Sequence, residues 1–251
     1  MEKRNICLTV AYDGTAYHGF QRQTNALSIQ EVLEERLGRL LGHPLKIAGA
    51  ARTDTGVHAH GQVVTFTTGS SIPVARIPQA ARQILPPDIV VRSAALAAAD
   101  FHARLSAKSK LYYYRIYNYP VADPLLIRYS WHIRRQLDVD RMQRALAHII
   151  GIHDFSAFRA SGGPPVNPVR EIFSAECRQN GAVIDCYFHG AGFLYHMVRN
   201  LIGTLVDVGS HKRTVDDMRV IRDSRDRRRA GMTAPAQGLY LQEVRYEAGL
   251  L

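Results

Sequence analysis

The stretch REIFSAECRQNGAVIDCYFH, residues 170–189, decides the fold. Asn180-Gly181 at its centre is a strong hairpin signal, because both residues tolerate the positive φ of a two-residue turn. Residues 170–178 and 183–189 therefore read as two antiparallel strands. Helical patterns lie on both sides of this hairpin. Val139, Met142, Leu146, Ile149 and Ile150 recur at helical spacing upstream. Leu194, Met197, Val198, Leu201, Ile202 and Leu205 line one face of a long helix downstream. Further out lie a tyrosine-rich strand at 111–118, a shorter helix from Thr214 and a closing strand at 239–246. The order is strand, helix, two strands, helix, strand: the ferredoxin-like βαββαβ arrangement.

The first half of the chain repeats that order. Ile6, Leu8, Val10 and Tyr12 alternate as in a strand. Ser28-Ile29-Gln30-Glu31 is a capping box that opens a helix through Leu41. Short strands follow at 45–51 and 62–67, then a helical pattern through Ile77, Ala80, Ala81 and Ile84 that Pro86-Pro87 ends, then a strand at 89–95. The fold class expected is α+β: two ferredoxin-like (RRM-like) units with mainly antiparallel sheets and an active-site cleft between them. The expected domains are 1–105 and 106–251. Two long connections stand apart. Residues 151–169 contain Gly162-Gly163-Pro164-Pro165 and no clear element. Residues 224–231 carry Arg225, Arg227, Arg228 and Arg229, readable either as a solvated face or as a phosphate contact.

Composition narrows the partners. The 251 residues include 32 Lys+Arg against 22 Asp+Glu, a net charge of +10, and the sequence pI is about 9.8. A domain this basic attracts a polyanion. The cations comprise five lysines and 27 arginines, and arginine's planar fork grips phosphate bidentately and stacks on bases. Cys7, Cys177 and Cys186 are odd in number and widely spaced, which argues against a disulfide framework or a zinc ribbon and fits a reducing compartment. The strand-like pattern at 1–10 leaves no room for a signal peptide, and no run approaches the roughly 20 apolar residues of a membrane span. A cytoplasmic protein with no membrane partner is expected.

Three segments concentrate polar chemistry. The first is ARTDTGVHAH, residues 51–60, between the second and third strands. Asp-x-Gly is a turn signature, so read alone Asp54 needs no role beyond holding the turn. His58 and His60 share one side of a strand near this carboxylate, but no third ligand has useful spacing, so no metal is expected. The second is Phe101-His102-Ala103-Arg104 with Lys108, Lys110, Tyr112, Tyr113, Tyr114, Arg115 and Tyr117. Cations interleaved with aromatics suit phosphate pairing and base stacking, although tyrosine is also simply a good strand former. Alternation sets Tyr112 and Tyr114 on one face, and Tyr113, Arg115 and Tyr117 on the other. The third is a polar stripe on the long downstream helix, His196, Arg199, Asn200 and Gly203. It has a glycine and few charges, which suits close approach to another surface.

Taken together, these segments resemble the TruA family of tRNA pseudouridine synthases. Residues 52–59 resemble its R-T-D-x-G-V-H signature. Tyr12-Asp13-Gly14 with Gly19-Phe20-Gln21-Arg22-Gln23 resembles its Y-D-G and G-W/F-Q-x-Q motifs. Phe101 to Arg104 with Tyr112 and Tyr114 is similar to its F-x-A-R and Y-x-Y, His196 to Gly203 to its H-x-M/V-R-x-M/L-x-G helix, and Gly238-Leu239-Tyr240-Leu241 to its closing G-L-x-L. The motifs run in family order over nearly the whole chain. Ala51 departs from the pattern, where the family usually has glycine.

The resemblance implies isomerisation of uridine to pseudouridine in the anticodon stem-loop of tRNA, at positions 38 to 40, by a homodimer. The reaction breaks the N1–C1′ bond, turns the base and joins C5 to C1′. It involves no redox change or phosphate transfer, so no cofactor is expected. It needs an ionised carboxylate beside sugar and base, as nucleophile, base or electrostatic stabiliser, and the resemblance gives that role, as nucleophile, to Asp54. It further implies Arg199 as the cation beside the carboxylate, Arg52 and Arg104 as substrate-binding cations, Tyr112 stacked on the target base and Leu239 packed against it. Two other readings fit the residues less well. A non-catalytic tandem RRM-like RNA-binding protein lacks its RNP1 motif here. A metal-dependent nuclease would have to use Asp54, His58 and His60.

Overall fold

Ile6, Leu8 and Val10 are fully buried on the first strand, β1 (Arg4–Tyr12), of the computed structural model, which describes residues 3–163 and 165–247. Pro164, Met1, Glu2 and residues 248–251, which fall in segments read above, lie outside the described residues. Contacts divide the chain into two units. One comprises the chain up to Lys108 and the segment from Tyr240 on; the other is Ser109–Leu239. The sequence expectation put the boundary near 105 and kept the closing strand with the second half. In the structure that strand groups with the first unit from Tyr240 onward, where its backbone pairs with a first-unit strand.

In the first unit β1 is followed by helix α1 (Ile29–Leu41). Its N-cap is Ser28, whose hydroxyl accepts from the Glu31 N–H at 3.3 Å, as the capping box requires. Ile29, Leu33 and Leu37 form its buried stripe. Strand β2 is only Ala48–Gly49, far shorter than the strand predicted at 45–51. Side chains capture the backbone on both sides of it. Glu34 accepts from the Ile47 N–H at 3.0 Å, Gln30 donates to the Ile47 carbonyl at 3.0 Å, and Gln62 holds both main-chain groups of Ala51. Strand β3 (His58–Thr68), helix α2 (Ile77–Arg82) and strand β4 (Ile89–Ala97) complete the βαββαβ order. β1 is central and antiparallel to both β3 and β4, with Leu8 opposite Val64 and Ala94. β2 runs antiparallel to β3 on its far side.

The second unit opens with β5 (Ser109–Asn118), continues through the short β6 (Trp131–Ile133) parallel to it, and enters helix α3 (Val139–Leu146). Strand β7 (Gly151–Asp154) and a 3₁₀ turn at Ser156–Phe158 occupy part of the connection read as featureless. β7 pairs antiparallel with the first residues of β8, Asp154 opposite Val169, while Phe155 and Phe158 are fully buried. Those two aromatics three residues apart were the missed signal. The hairpin at 170–189 is present as β8 (Val169–Asn180) and β9 (Val183–Gly190), but its two-residue turn is Gly181-Ala182, one residue later than expected: Asn180 ends β8 opposite Val183 and only Gly181 takes a positive φ, +57°. The strand order is β5-β9-β8-β7. Helix α4 (Met197–Gly209), helix α5 (Asp217–Ser224) and the closing strand β10 (Leu239–Arg245) follow. Tyr240 and Leu241 of β10 pair parallel with His58 and Ala59 of β3. The architecture is α+β with mainly antiparallel pairing. No helix among the described residues is long and apolar enough to cross a membrane.

All three cysteines are free thiols. Burial pushes the Cys7 thiol up to about 11, and burial with Cys177 alongside pushes Cys186 well above its ordinary range. The thiolate is the reactive form. Iodoacetamide at pH 8 is therefore expected to leave Cys7 and Cys186 unmodified in the native protein and to label both in urea, as read by peptide mapping. Rapid native labelling of either would contradict the packing described.

Candidate active site

Asp54 sits in a tight turn closed by the Val57 N–H donating to the Asp54 carbonyl at 3.1 Å, with Gly56 at φ +76°. The Asp-x-Gly reading of the sequence is thus correct locally. Other segments hold the turn from several sides. The Phe20 N–H donates to the Thr53 carbonyl at 3.1 Å and the Gly56 N–H to the Tyr17 carbonyl at 3.3 Å. The Tyr12 and Thr53 hydroxyls are 2.7 Å apart. Gln62, fully buried on β3, accepts from the Ala51 N–H at 3.1 Å and donates to the Ala51 carbonyl at 2.7 Å. Two glycines of the N-terminal motif are required by close approach. A Cβ on Gly14 would lie 2.0 Å from the Val57 carbonyl oxygen, and one on Gly19, itself at φ +85°, 2.6 Å from that of Thr53. The motif at 12–23 and the motif at 52–59, far apart in sequence, are one packed unit.

Around this turn the side chains divide by exposure. Thr53 and Val57 are buried, Asp54 is half-buried, and Arg52 and Thr55 are exposed. His58 is buried, with Nδ1 3.0 Å from the Asp13 carboxylate and 3.1 Å from the Gly14 nitrogen. His58 and His60 both stack on Tyr240, with ring centroids 4.8 and 5.5 Å away. They do share one side of β3, as their i, i+2 spacing predicts. Among the described residues no group of three or more His, Cys, Asp or Glu is placed to hold a metal ion. Arg104 is exposed beside Ala103, which is fully buried and held at both main-chain groups: its N–H donates to Thr65 at 3.3 Å and its carbonyl accepts from Tyr246 at 2.7 Å.

In the second unit Tyr112 is buried, edge-to-face with Phe193 at 5.1 Å. The alternation expected along β5 is observed, but both faces are covered. The Tyr114 hydroxyl donates to the Pro235 carbonyl at 2.7 Å. On the other face Arg115 holds Asp185 with two bonds of 2.8 and 2.7 Å and lies over the Tyr113 ring. Burial raises the Tyr113 hydroxyl to about 12. Most of these tyrosines are therefore packing residues rather than an open stacking platform. Leu239, also buried, follows Gly238, where a Cβ would come within 2.6 Å of the Tyr114 ring.

Helix α4 begins at Met197, so Leu194 and His196, both expected in it, precede it and the polar stripe starts at Arg199. His196 takes φ +57° and stands outside the helix, stacked against Tyr195 at 3.9 Å, while Arg199, Asn200 and Gly203 share a face of α4. The surface that approaches this face is the chain's own arginine-rich segment. Arg199 Nε donates to the Ala234 carbonyl at 2.7 Å, and the Ala234 N–H returns a bond to the Arg199 carbonyl at 3.1 Å. Fully buried Asn200 donates to the Phe158 carbonyl at 2.8 Å and accepts from Arg227 at 2.9 Å and Thr233 at 2.6 Å. Arg227 thus has a structural place that its sequence context concealed. Its neighbours Arg225 and Arg228 pair with Asp154 at 3.1 Å and Asp226 at 2.8 Å. Bonds from Arg228, opposed only weakly by burial, pull the Asp226 carboxyl down to about 2.

Comparison with known proteins bears on this arrangement. A family profile described as tRNA pseudouridine synthase matches residues 8–105 and 145–247. The chain is 45% identical over 243 residues to a protein named tRNA pseudouridine synthase A from Acetivibrio thermocellus, covering 97% of this chain and 100% of that one. It is 46% identical over 244 residues to the protein of that name from Ruminiclostridium cellulolyticum, with the same coverage. It is also 45% identical over 241 residues to the one from Syntrophotalea carbinolica, covering 96% of each.

Proposed function

Because the chain belongs to the tRNA pseudouridine synthase family, isomerases that convert uridine to pseudouridine in tRNA, we propose that Asp54 is its catalytic carboxylate. The observation that carries this reading is the turn itself. The backbone of the turn and of the residues leading into it is tied to Tyr17, Phe20 and Gln62, while Asp54, the first residue of the turn, stays half-buried. A carboxylate pre-set in one place stabilises or attacks a developing cationic sugar without reorganising at the moment of reaction. Arg52 and Arg104, both exposed, are proposed to hold the RNA backbone. Tyr112, Arg199 and Leu239 are proposed to bind the substrate, with Tyr112 stacking on the target base and Leu239 packing against it. The substrate site is the anticodon stem-loop at positions 38 to 40, and the working form is a cytoplasmic homodimer.

The target uridine is stacked within RNA and has to be flipped out, at a cost of a few kcal/mol that contacts in the pocket offset. The test uses unmodified tRNA with tritium at uridine C5. Joining C5 to C1′ displaces that hydrogen, so tritium appears in water. Release that requires Asp54 and leaves the RNA intact supports the reading. Binding without release favours a non-catalytic RNA-binding protein, and strand cleavage favours a nuclease.

The excess of cations makes a second prediction. Each phosphate neutralised releases counterions, so log affinity falls with log salt by about 0.7 to 0.9 per contact. Filter binding of tRNA from 50 to 300 mM KCl is expected to show a steep negative slope. A flat response would remove electrostatics as the source of affinity.

A further inference from the structure

Gln62 is a glutamine within the apolar run Val63, Val64 and Phe66 of β3, and it is fully buried. A buried carboxamide is costly unless its donors and acceptor are matched. Here they are. The oxygen takes the Ala51 N–H, and the nitrogen gives one hydrogen to the Ala51 carbonyl at 2.7 Å and lies 3.4 Å from the Tyr12 oxygen. A tyrosine oxygen that accepts from Gln62 has its own hydrogen to donate, and the Thr53 hydroxyl stands 2.7 Å away. Tyr12 is 5% exposed and Thr53 7%. The chain Ala51–Gln62–Tyr12–Thr53 therefore runs through the protein interior and ends on the residue before Asp54.

We propose that Tyr12 and Thr53, backed by Gln62, are positioning residues that set the place of Asp54 through this hydrogen-bond chain. The proposal rests on the reading of Asp54 as the catalytic carboxylate. None of the three reaches RNA in this account; they act on the turn that carries the carboxylate. A displacement of about 1 Å in a reacting group can cost on the order of 100-fold in rate. The effect belongs in kcat, while KM for tRNA, set by exposed cations, stays near its wild-type value.

The experiment compares Tyr12→Phe, Thr53→Val, Thr53→Ser and the double variant Tyr12→Phe/Thr53→Val by tritium release at saturating tRNA, well below each Tm. Thr68→Val serves as the control. It removes a buried hydroxyl that bonds His43 at 2.7 Å at the far end of β3, the strand that carries Gln62. The expected result is a fall in kcat of about 10- to 100-fold in Tyr12→Phe and in Thr53→Val, with KM within about twofold. The double variant is no worse than Tyr12→Phe, which already removes the Tyr12–Thr53 bond that Thr53→Val removes as well as the contact with Gln62. Thr53→Ser keeps the hydroxyl and the rate, and Thr68→Val keeps the rate. Wild-type kcat in Tyr12→Phe and Thr53→Val, or equal losses in the control, would overturn the proposal. If Tyr12→Phe does not fold, the contrast between Thr53→Ser and Thr53→Val decides alone. Asp54→Asn run in parallel separates the two readings: release by that variant within about tenfold of wild type removes Asp54 as catalyst whatever the others do.

Discussion

Asp54→Asn is expected to lower tritium release by at least about 10²-fold while the protein folds and binds tRNA as before. A purely electrostatic role for a preorganised group is worth about 10² to 10³-fold, and loss of a covalent nucleophile costs more, on the order of 10⁶. Asparagine preserves size and the capacity to form an Asx turn, and the turn is closed by the Val57 N–H donating to the Asp54 carbonyl, a backbone bond that the substitution keeps. The substitution thus separates chemistry from structure. If Asp54 only held the turn, Asn would leave both stability and activity nearly intact. Release within about tenfold of wild type, a loss of only ~1.4 kcal/mol in transition-state free energy, would dismiss Asp54 as the catalyst.

The second large effect is on stability. Alanine in place of a mid-helix glycine ordinarily stabilises by about 0.5 to 1 kcal/mol. At Gly203 of α4 the sign is expected to reverse. A Cβ there would sit 1.7 Å from the Met232 carbonyl oxygen, a backbone atom that cannot turn aside. The segment around it is tied to the same helix face by the bonds of Asn200 to Arg227 and Thr233, by the paired bonds of Arg199 and Ala234, and by the Gly231 N–H to Thr204 at 2.9 Å. Overpacking costs about 1 to 3 kcal/mol, and each buried bond lost adds about 1 kcal/mol. Gly203→Ala is expected to lower the unfolding free energy by about 2 to 5 kcal/mol in urea. Gly69, whose Cβ would meet nothing within 4 Å, is the control, and Gly69→Ala is expected to fall within about 0.5 kcal/mol of wild type. A Gly203→Ala protein as stable as wild type would mean that the 231–233 backbone does not rest on α4.

Much of this was readable from local chemistry. The hairpin about Gly181, the Ser28 cap and the apolar stripes of α1 and α4 depend on neighbours within a few residues, and short-range rules reach that far. The elements that escaped notice depend on distant partners. β2 shrinks to two residues because Glu34, Gln30 and Gln62 take the backbone groups that a longer ladder would have used. β7 forms because β8 lies ready to pair with it. Tyr112 to Tyr117 looked like a stacking surface, yet most of these rings are covered on both faces of β5, a matter of layers that alternation along one strand does not report.

For the site the division is similar. Sequence alone determined which residues cluster as motifs, the family they resemble, the excess of positive charge and Asp54 as part of an Asp-x-Gly turn. It could not say that Gly14 and Gly19 are glycines because the 53–57 backbone presses on them. Nor could it say that Arg227 belongs to a buried network rather than to an open cationic face. Those facts are long-range. A hydrogen bond or a close approach between residues dozens of positions apart leaves no periodicity in the chain, only a polar residue or a glycine at a place that local rules do not explain. Gln62 is such a residue, and only the folded chain, by bringing it to Ala51 and Tyr12, supplied its partners.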